Sequence, residues 1–389
     1  LDWDALPVKV EGVIAERIGR LDEELKEMLT VASVEGEQFT AEVLARVEAM
    51  SEREAIQQLS DDLQRRHRLV SDLGLAQLGH QRLSLYRFVH NLFQQYLYGN
   101  LDEVERACLH RDMGEAIEGL FAGETEEVAA QLARHFEEGG VPAKAAAYRL
   151  QAGNRAHRMS AYQEAVGHLT RGMELLGDLP QGPERLQLEL GLQTSLGTTR
   201  IATHGYASPE VEQAYARARE LCSTLGDPPE VIPVLFGLCM YYMVHGDIDQ
   251  ARDEEERLLS LAQQAADIGY ILGGHFLLGA TILYQADLER SRWHLEQVIT
   301  LYDQSRDRDM AYRQGHDPAV VSFLYLSWVL WFQGYPEQAK AKMEAGLRLA
   351  EALNHPHTST LAAFFASTFH QLMRQWPQCQ AEAERALGL

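Results

Sequence analysis

The chain has 389 residues, too many for one ordinary compact core, so we expect either two or three domains or one elongated array. Its 35 basic and 57 acidic side chains give a formal net charge of −22, which disfavours binding to nucleic acid or to anionic lipid. With 46% hydrophobic and 24% charged residues, the composition excludes an intrinsically disordered chain.

Cysteine usage and hydropathy indicate where the protein works. The four cysteines are far apart and include no Cys-x-x-Cys pair, so we expect neither a disulfide framework nor a thiolate zinc site, and a reducing cytoplasm fits best. The most apolar run, Val320 to Phe332, is too short to span a bilayer and predicts a buried helix. Since the chain begins at Leu1 without a signal-like region, we expect it to be part of a longer protein.

The N-terminal third predicts three helices followed by a two-stranded ribbon. Helical periodicity covers Asp22–Val34, Thr40–Met50, where Thr40 is a candidate cap, and Ser51–His67, where Ser51 and Glu54 form a capping box. Alternating apolar residues around a glycine-containing turn then predict two strands within Arg68–His90. Three helices followed by a ribbon are typical of a winged helix.

From about Val141 onward the chain repeats. Small residues recur where the second helix of a tetratricopeptide (TPR) pair approaches the first; they are Ala165, Ala214, Ala251, Ser291 and Ala339, with Gln380 as a weaker sixth. Small residues also stand twelve positions earlier, at Gly153, Cys239, Gly279 and Ser327. Turn sequences separate the helices at Gly246-Asp247, Ala286-Asp287, Gly334-Tyr335-Pro336 and Gln375-Trp376-Pro377. Stacked pairs of this kind form a superhelix with a concave binding wall.

We therefore predict an all-α protein with two main parts. Residues 19–98 form a winged-helix domain with a small ribbon, 99–140 a helical connector, and 141–389 a TPR-like α-solenoid of about six helix pairs. Because the apolar segment 386–389 has no polar capping helix after it, we expect further repeats beyond this point.

Motifs for catalysis are missing from the sequence. No Gly-Lys pair occurs, so the chain lacks the P-loop of an ATPase, and the common zinc, acyl-transfer and dinucleotide motifs are also absent. The pair His355 and His357 has no carboxylate or thiol beside it, which favours a loop over a metal site. The acidic run at residues 253–256 favours a solvated helix face over a docking patch. We predict no enzyme activity, metal or cofactor in this chain.

Binding residues are sought among the aromatic side chains. Most of these should pack between helices, and the remainder should line the concave wall, where we single out Tyr242, Tyr284 and Trp331. The presumed recognition helix, Ser51–Arg68, carries four arginines and four carboxylates, and its net charge of zero favours protein contacts over DNA reading.

Five segments resemble the bacterial STAND-class signal-transduction ATPases, in particular members fused to nucleotide cyclase or LuxR-type regulator domains. The first of them is similar to the region after the ATPase core, the next two to the winged helix, and the last two to the TPR arm of that family. They are Leu6–Leu21, Ala32–Phe39, Tyr86–Tyr98, Leu132–Phe136 and Gly315–Pro318.

This resemblance implies that residues 1–18 are the end of the ATPase lid or its linker, and that an upstream P-loop domain of the parent protein binds ATP or ADP. It also implies that His90 contacts the ADP phosphate, although Asn91 replaces the aspartate of the related His-Asp pattern. The alternative is that His90 caps the helix that follows. Implied partners are a protein or small-molecule inducer in the TPR groove and the protein's own ATPase domain, with a nucleotide-dependent oligomer.

Two functional hypotheses follow. In the first, the chain is the regulatory portion of such an ATPase, and its superhelix senses an inducer or partner and couples this to the nucleotide state. In the second, the superhelix is a constitutive scaffold that assembles protein partners. A nucleotide-dependent rearrangement of the parent protein distinguishes them, because a scaffold predicts none.

Overall fold

The computed structural model describes residues 8–79, 81–121, 123–226 and 228–388. Residues 1–7, and with them the start of the lid segment predicted at 1–18, lie outside these ranges. Contacts divide the chain into two compact units, the first reaching to Arg155 and including Arg171–Pro180, the second comprising Ala156–Thr170 and the chain from Gln181 onward. Across the ranges described, no helix is both long and apolar enough to cross a membrane.

The first unit begins with short helices around a small sheet and continues with longer helices. Its elements are α1 (Val8–Ile18), α2 (Glu23–Glu35), β1 (Gln38–Thr40), α3 (Ala41–Val47), α4 (Glu52–Gln57), β2 (Val70–Leu78), β3 (Gln81–Phe88), α5 (Asn91–Gly99), α6 (Glu103–Phe121), α7 (Ala129–Glu138) and most of α8 (Pro142–Arg158). A π-helical segment, Gln58–Arg66, continues α4 without a break, and its buried Leu59 and Leu63 face the core.

The sheet has three antiparallel strands in the order β1-β3-β2. The sequence predicted only the ribbon of β2 and β3; the third strand, β1, pairs Gln38 with Arg87 and Thr40 with Leu85. It is held by Phe39, which is buried and lies 5.2 Å from the Phe88 ring. Three helices and this small sheet give the winged-helix-like arrangement predicted for this region.

The two predicted helix caps have different outcomes. Ser51 Oγ accepts a hydrogen bond from the Glu54 backbone N–H at 3.2 Å, as predicted. Thr40 does precede α3, but its hydroxyl donates to the buried Glu35 carboxylate at 3.1 Å and caps nothing. Burial raises the pKa of Glu35 to about 7, so the contact with Thr40 serves a carboxyl group that is expensive to ionise.

The second unit is a series of antiparallel helix pairs. Its helices are α9 (Tyr162–Leu175), whose last turn belongs to the first unit, α10 (Pro183–His204), α11 (Pro209–Leu225), α12 (Val231–His245), α13 (Ile248–Gln264), α14 (Ile268–Tyr284), α15 (Leu288–Leu301), the short α16 (Gln304–Asp307) and α17 (Met310–Gln314), α18 (Pro318–Phe332), α19 (Pro336–Leu353), α20 (Pro356–Leu372) and α21 (Trp376–Gly388). The predicted TPR-like solenoid is confirmed.

Close contacts between paired helices follow the predicted register, with one correction. The five small residues of the second helices are all buried, and Ser291 Oγ donates to the Gly279 carbonyl at 2.6 Å, twelve positions away. The sixth position is Cys379 and not Gln380, which is exposed. Ser367, again twelve positions earlier, donates its hydroxyl to the Cys379 carbonyl at 3.0 Å.

The turns within pairs contain a residue in the left-handed conformation just after the first helix. Gly246 (φ 102°), Ala286 (φ 62°), Gly334 (φ 86°) and Arg374 (φ 58°) take this place. Each lies in or directly beside a turn sequence identified above, so the predicted helix boundaries are confirmed. A left-handed residue ends a helix and reverses the chain within a few residues.

Consecutive first helices α12, α14, α18 and α20 contact one another, and we call them the inner helices. Each second helix packs on its own partner and on the next first helix, which places the second helices outside. The acidic run on α13 is not the uniformly solvated face expected: Glu255 is fully buried, and its carboxylate accepts a hydrogen bond from Thr281 Oγ1 at 2.7 Å.

Candidate functional site

Aromatic rings form a continuous row across three inner helices. Tyr284 of α14 meets Tyr325 of α18 with ring centroids 6.4 Å apart, and Tyr325 meets Phe365 of α20 at 4.8 Å. Trp328 lies 4.7 Å from Phe365, and Phe364 lies beside Phe365 at 5.6 Å. We call these five residues the aromatic row.

The aromatic row is partly open to solvent. Tyr284 and Phe364 expose 54% and 56% of their surface, whereas Tyr325 and Phe365 are buried beneath them. The indole nitrogen of Trp328 has no hydrogen-bond partner among the described residues. Exposed aromatic groups on a buried aromatic base resemble the central residues of protein interfaces, where Tyr and Trp carry much of the binding energy.

The three side chains singled out from the sequence occupy different environments. Tyr284 belongs to the aromatic row. Tyr242 on α12 is half-buried and packs edge-on against Tyr241 at 5.6 Å, and burial raises the pKa of its hydroxyl. Trp331 on α18 is also half-buried and packs against Phe369 of α20 at 6.1 Å, outside the row.

The segment Gly315–Pro318 forms the turn and the N-cap at the start of α18. Gly315 has a φ of 83°, and the Asp317 carboxylate accepts hydrogen bonds from the Ala319 and Val320 backbone N–H groups, which caps the helix. The other oxygen of Asp317 accepts from the Tyr302 hydroxyl at 2.8 Å. This geometry fixes the position of His316, the second residue of the segment.

His316 and His357 hold the hydroxyl of Tyr206. Tyr206 lies between α10 and α11, and its Oη is 3.3 Å from His316 Nδ1 and 2.9 Å from His357 Nε2. The hydroxyl has one proton, so it donates to one imidazole and accepts from the other. We call this contact the Tyr206 clasp; it joins residues 110 and 151 positions apart.

More histidines surround the clasp, next to a small cavity. His355 caps α20 and accepts hydrogen bonds from both the backbone N–H and the hydroxyl of Thr358. With His157 and His357 it borders a cavity of about 20 Å³, which is room for one water molecule. Burial lowers the pKa of His316 to about 3 and that of His355 to about 4, so both rings are neutral at ordinary pH.

This histidine cluster is not arranged as a metal centre. In the part of the chain that the structure describes, no group of three or more histidine, cysteine or acidic side chains is placed to hold a metal ion. The sequence identified His355 and His357 as a loop pair but gave no reason to connect them with Tyr206. Only the packing of distant helices brings them together.

A second buried polar chain lies in the first unit. Arg134 Nη2 is 3.3 Å from His135 Nε2, His135 Nδ1 is 3.0 Å from His110 Nδ1, and His110 Nε2 is 3.0 Å from the Tyr98 hydroxyl. Because Arg134 can only donate a hydrogen bond, His135 Nε2 accepts from it and His135 Nδ1–H donates to His110 Nδ1. His110 Nε2–H then donates to the Tyr98 hydroxyl. Burial lowers the pKa of His110 to about 4, and Arg134 also donates to the Glu35 carbonyl at 2.6 Å.

This polar chain connects three of the segments that carry the family resemblance, which contribute Glu35, Tyr98 and the Arg134-His135 pair. The chain uses the backbone carbonyl of Glu35 and not its carboxylate, and its two imidazole rings have lowered pKa values, so it fixes the positions of α2, α5, α6 and α7. We assign it a structural role.

His90 is exposed and stands at the start of α5. Its Nδ1 accepts a hydrogen bond from the Leu92 backbone N–H at 3.4 Å, which is the capping geometry. With Nδ1 as acceptor, the neutral ring carries its proton on Nε2. That nitrogen therefore has the proton that a phosphate oxygen would accept.

Among curated proteins, the chain is similar to the uncharacterized protein R02095 of Rhizobium meliloti (strain 1021). The two are 22% identical over 373 residues, which cover 93% of this chain and 35% of the relative. The chain thus spans about a third of the length of the curated relative it matches. No protein-family model matches the chain.

Solved structures of helical-repeat proteins are also similar. The Rap conjugation gene regulator of the plasmid pLS20, in complex with the Phr* peptide, aligns with a TM-score of 0.50 at 14% identity, over 74% of this chain and 79% of that one. The STAND protein with a tetratricopeptide repeat sensor from Pyrococcus horikoshii aligns with a TM-score of 0.45 at 12% identity, over 99% of this chain and 66% of that one. The likeness to the Rap regulator shows a shared helical-repeat fold.

Proposed function

We propose that the chain is the partner-sensing, regulatory portion of a longer STAND-class signal-transduction ATPase. Its repeats bind a peptide or protein segment on the inner helices. The observation that carries this proposal is the aromatic row, which continues over α14, α18 and α20 and exposes more than half of Tyr284 and Phe364. That the Rap regulator of similar fold was solved with a bound peptide supports the same choice of ligand class.

Selection from a random peptide library displayed on phage tests the binding surface. We expect peptides selected on the wild-type chain to bind Tyr284→Ala and Phe364→Ala at least about tenfold more weakly, because aromatic anchors dominate such interfaces. The matched control is Trp293→Ala: Trp293 is also 54% exposed but lies on the outer helix α15. Equal losses for all three variants, or a selection that enriches no peptide, would contradict the proposal.

Coupling to nucleotide is the second half of the proposal. The winged-helix-like region would transmit partner binding to the P-loop domain of the parent protein, with His90 Nε2 donating to the ADP phosphate. We expect His90→Ala in the parent protein to weaken ADP retention and to promote a larger assembly, because a charge-assisted hydrogen bond contributes about 1.5–3 kcal/mol. Co-purified nucleotide and particle size measured in the ADP and ATP states give the result.

The constitutive scaffold is the competing function. If wild type and His90→Ala hold ADP equally and neither changes size with nucleotide, the scaffold function is favoured. His90 would then only cap α5. The aromatic row does not separate the two functions, since both need a partner-binding wall. The nucleotide experiment separates them because only the regulatory function requires a two-state response.

A further inference from the structure

We propose that the recess filled by Tyr206 is a phenol-binding subsite, in which Tyr206 is an internal occupant that a tyrosine side chain of the partner replaces. This inference rests on the proposed function of the inner helices as a partner-binding surface. The inference specifies that one group of the partner is a phenol, and that His316 and His357 select it.

The first observation is the way in which the phenol is held. The hydroxyl lies between His357 Nε2 at 2.9 Å and His316 Nδ1 at 3.3 Å, and the Tyr206 ring contacts both imidazoles, with centroids 5.9 Å and 6.4 Å away. Both the polar tip and the ring of the phenol therefore have matching partners. The two histidines come from the starts of α18 and α20, which the repeat packing positions independently of Tyr206.

The second observation is the environment of His316. Its side chain is 1% exposed and packs against the rings of Phe236 at 6.3 Å and Phe276 at 5.1 Å. Its Nε2 has no hydrogen-bond partner within the described ranges, so the Tyr206 hydroxyl is the partner that the structure gives this imidazole. A polar ring in an apolar wall is unfavourable unless a hydrogen-bonding group pairs with it, and a phenol hydroxyl in this recess pairs with Nδ1.

The charge of the recess selects a hydroxyl over an ionised group. Burial keeps His316 neutral and also lowers the pKa of His357. A carboxylate or phosphate would therefore enter without a counter-charge, and an ammonium group could only donate hydrogen bonds. A phenol both donates and accepts, and its ring suits the neighbouring aromatic groups.

The connection that carries Tyr206 allows the exchange. Gly205 ends α10 with a φ of 84°, and Ser208 caps α11 by accepting from the Val211 backbone N–H at 3.3 Å. Rotation of the short connection between these two residues turns Tyr206 outward while both helices keep their hydrogen bonds. The recess then opens on the side where Tyr206 is partly exposed.

The test removes the internal occupant and offers a small phenol. In Tyr206→Ala we expect p-cresol to bind at millimolar concentration or better, and about tenfold more tightly than toluene, which lacks the hydroxyl. Isothermal titration or ligand-observed NMR on the full chain measures both. Wild type, in which Tyr206 fills the recess, should bind neither compound detectably, and Tyr206→Ala with His357→Leu should lose the preference for p-cresol.

A second measurement covers the case in which Tyr206→Ala does not fold. Tyr206→Phe keeps the ring and removes the hydroxyl, so it should lower the melting temperature of the second unit. The control Tyr312→Phe should leave it unchanged: the Tyr312 ring lies 4.8 Å from the His355 ring, and its hydroxyl makes no hydrogen bond within the described residues.

Equal binding of p-cresol and toluene, or an unchanged melting temperature in Tyr206→Phe, would overturn the subsite. Neither measurement involves a partner peptide. A failure here therefore leaves the aromatic row intact as a binding surface, and a failed peptide selection leaves the phenol subsite intact.

Discussion

At the scale of single residues, the most unusual ionisable group is Glu255. It is fully buried on α13, one oxygen accepts from Thr281, and the other has no partner among the described residues. Burial raises the pKa of this carboxyl from 4.5 to about 8. Between these two values the unfolded chain ionises Glu255 while the folded chain keeps the proton, so this group lowers stability as the pH rises through that window.

Glu255→Gln removes that titration and keeps the shape of the side chain. Relative to wild type, we expect the variant to gain stability from pH 5 to pH 8, by about 3 kcal/mol. Urea unfolding at both pH values measures the gain. Glu256→Gln, a change at the exposed neighbour, is the control and should show no such trend; a pH-independent effect of Glu255→Gln would mean that the carboxyl is ionised when folded.

At the scale of elements, the helix pairs depend on close backbone approach at defined positions. A Cβ atom at Gly279 of α14 would lie 2.7 Å from Leu295 Cγ on α15, and Leu295 is fully buried. Gly167 on α9 offers the opposite case, because a Cβ atom there meets nothing within 4 Å. The same substitution should therefore have opposite effects at two helical glycines.

Gly279→Ala should destabilise the second unit by about 1–3 kcal/mol through overpacking, despite the better helix propensity of alanine. Gly167→Ala should stabilise it by about 0.5–1 kcal/mol through that propensity. Denaturant midpoints of the two variants, compared with wild type, give both signs. A stabilising Gly279→Ala would show that α14 and α15 separate easily and that the predicted register has no energetic role.

At the scale of the whole molecule, charge decides which partners are attracted. The net charge is −22, and two of the four arginines of the presumed recognition helix are paired on their own helix, Arg65 with Asp61 at 2.6 Å and Arg66 with Asp62 at 3.7 Å. These pairs leave little positive potential for a phosphate backbone. The charge of the winged-helix-like region thus disfavours DNA.

We expect no binding to random duplex DNA at about 150 mM salt, where screening leaves only direct phosphate contacts effective. Fluorescence anisotropy of a labelled duplex, titrated with the chain, measures this. The double variant Asp61→Asn with Asp62→Asn frees both arginines and is the matched comparison at low salt. Saturable binding by wild type at 150 mM would instead identify this helix as a DNA reader.

The sequence by itself determined the long helices of the repeats, their pairing and, apart from the sixth position, the repeat register. These depend on signals between near neighbours: apolar spacing, the small residues of each pair, and the turns around Gly246, Ala286 and Gly334. It also indicated Tyr284, together with Tyr242 and Trp331, as candidate binding residues among the aromatic side chains. That assignment stays a prediction until a ligand is bound.

Only the tertiary structure decided β1, the burial of Glu255 and the Tyr206 clasp. Strand β1 has only three residues and is defined by its pairing with β3. In the sequence Glu255 is one residue of a charged run, and only the structure shows that it is buried and hydrogen-bonded to Thr281. The clasp joins Tyr206 to a histidine 151 positions away. Such contacts arise from the way in which whole helices stack, which no local pattern encodes, and they are where the proposed ligand specificity lies.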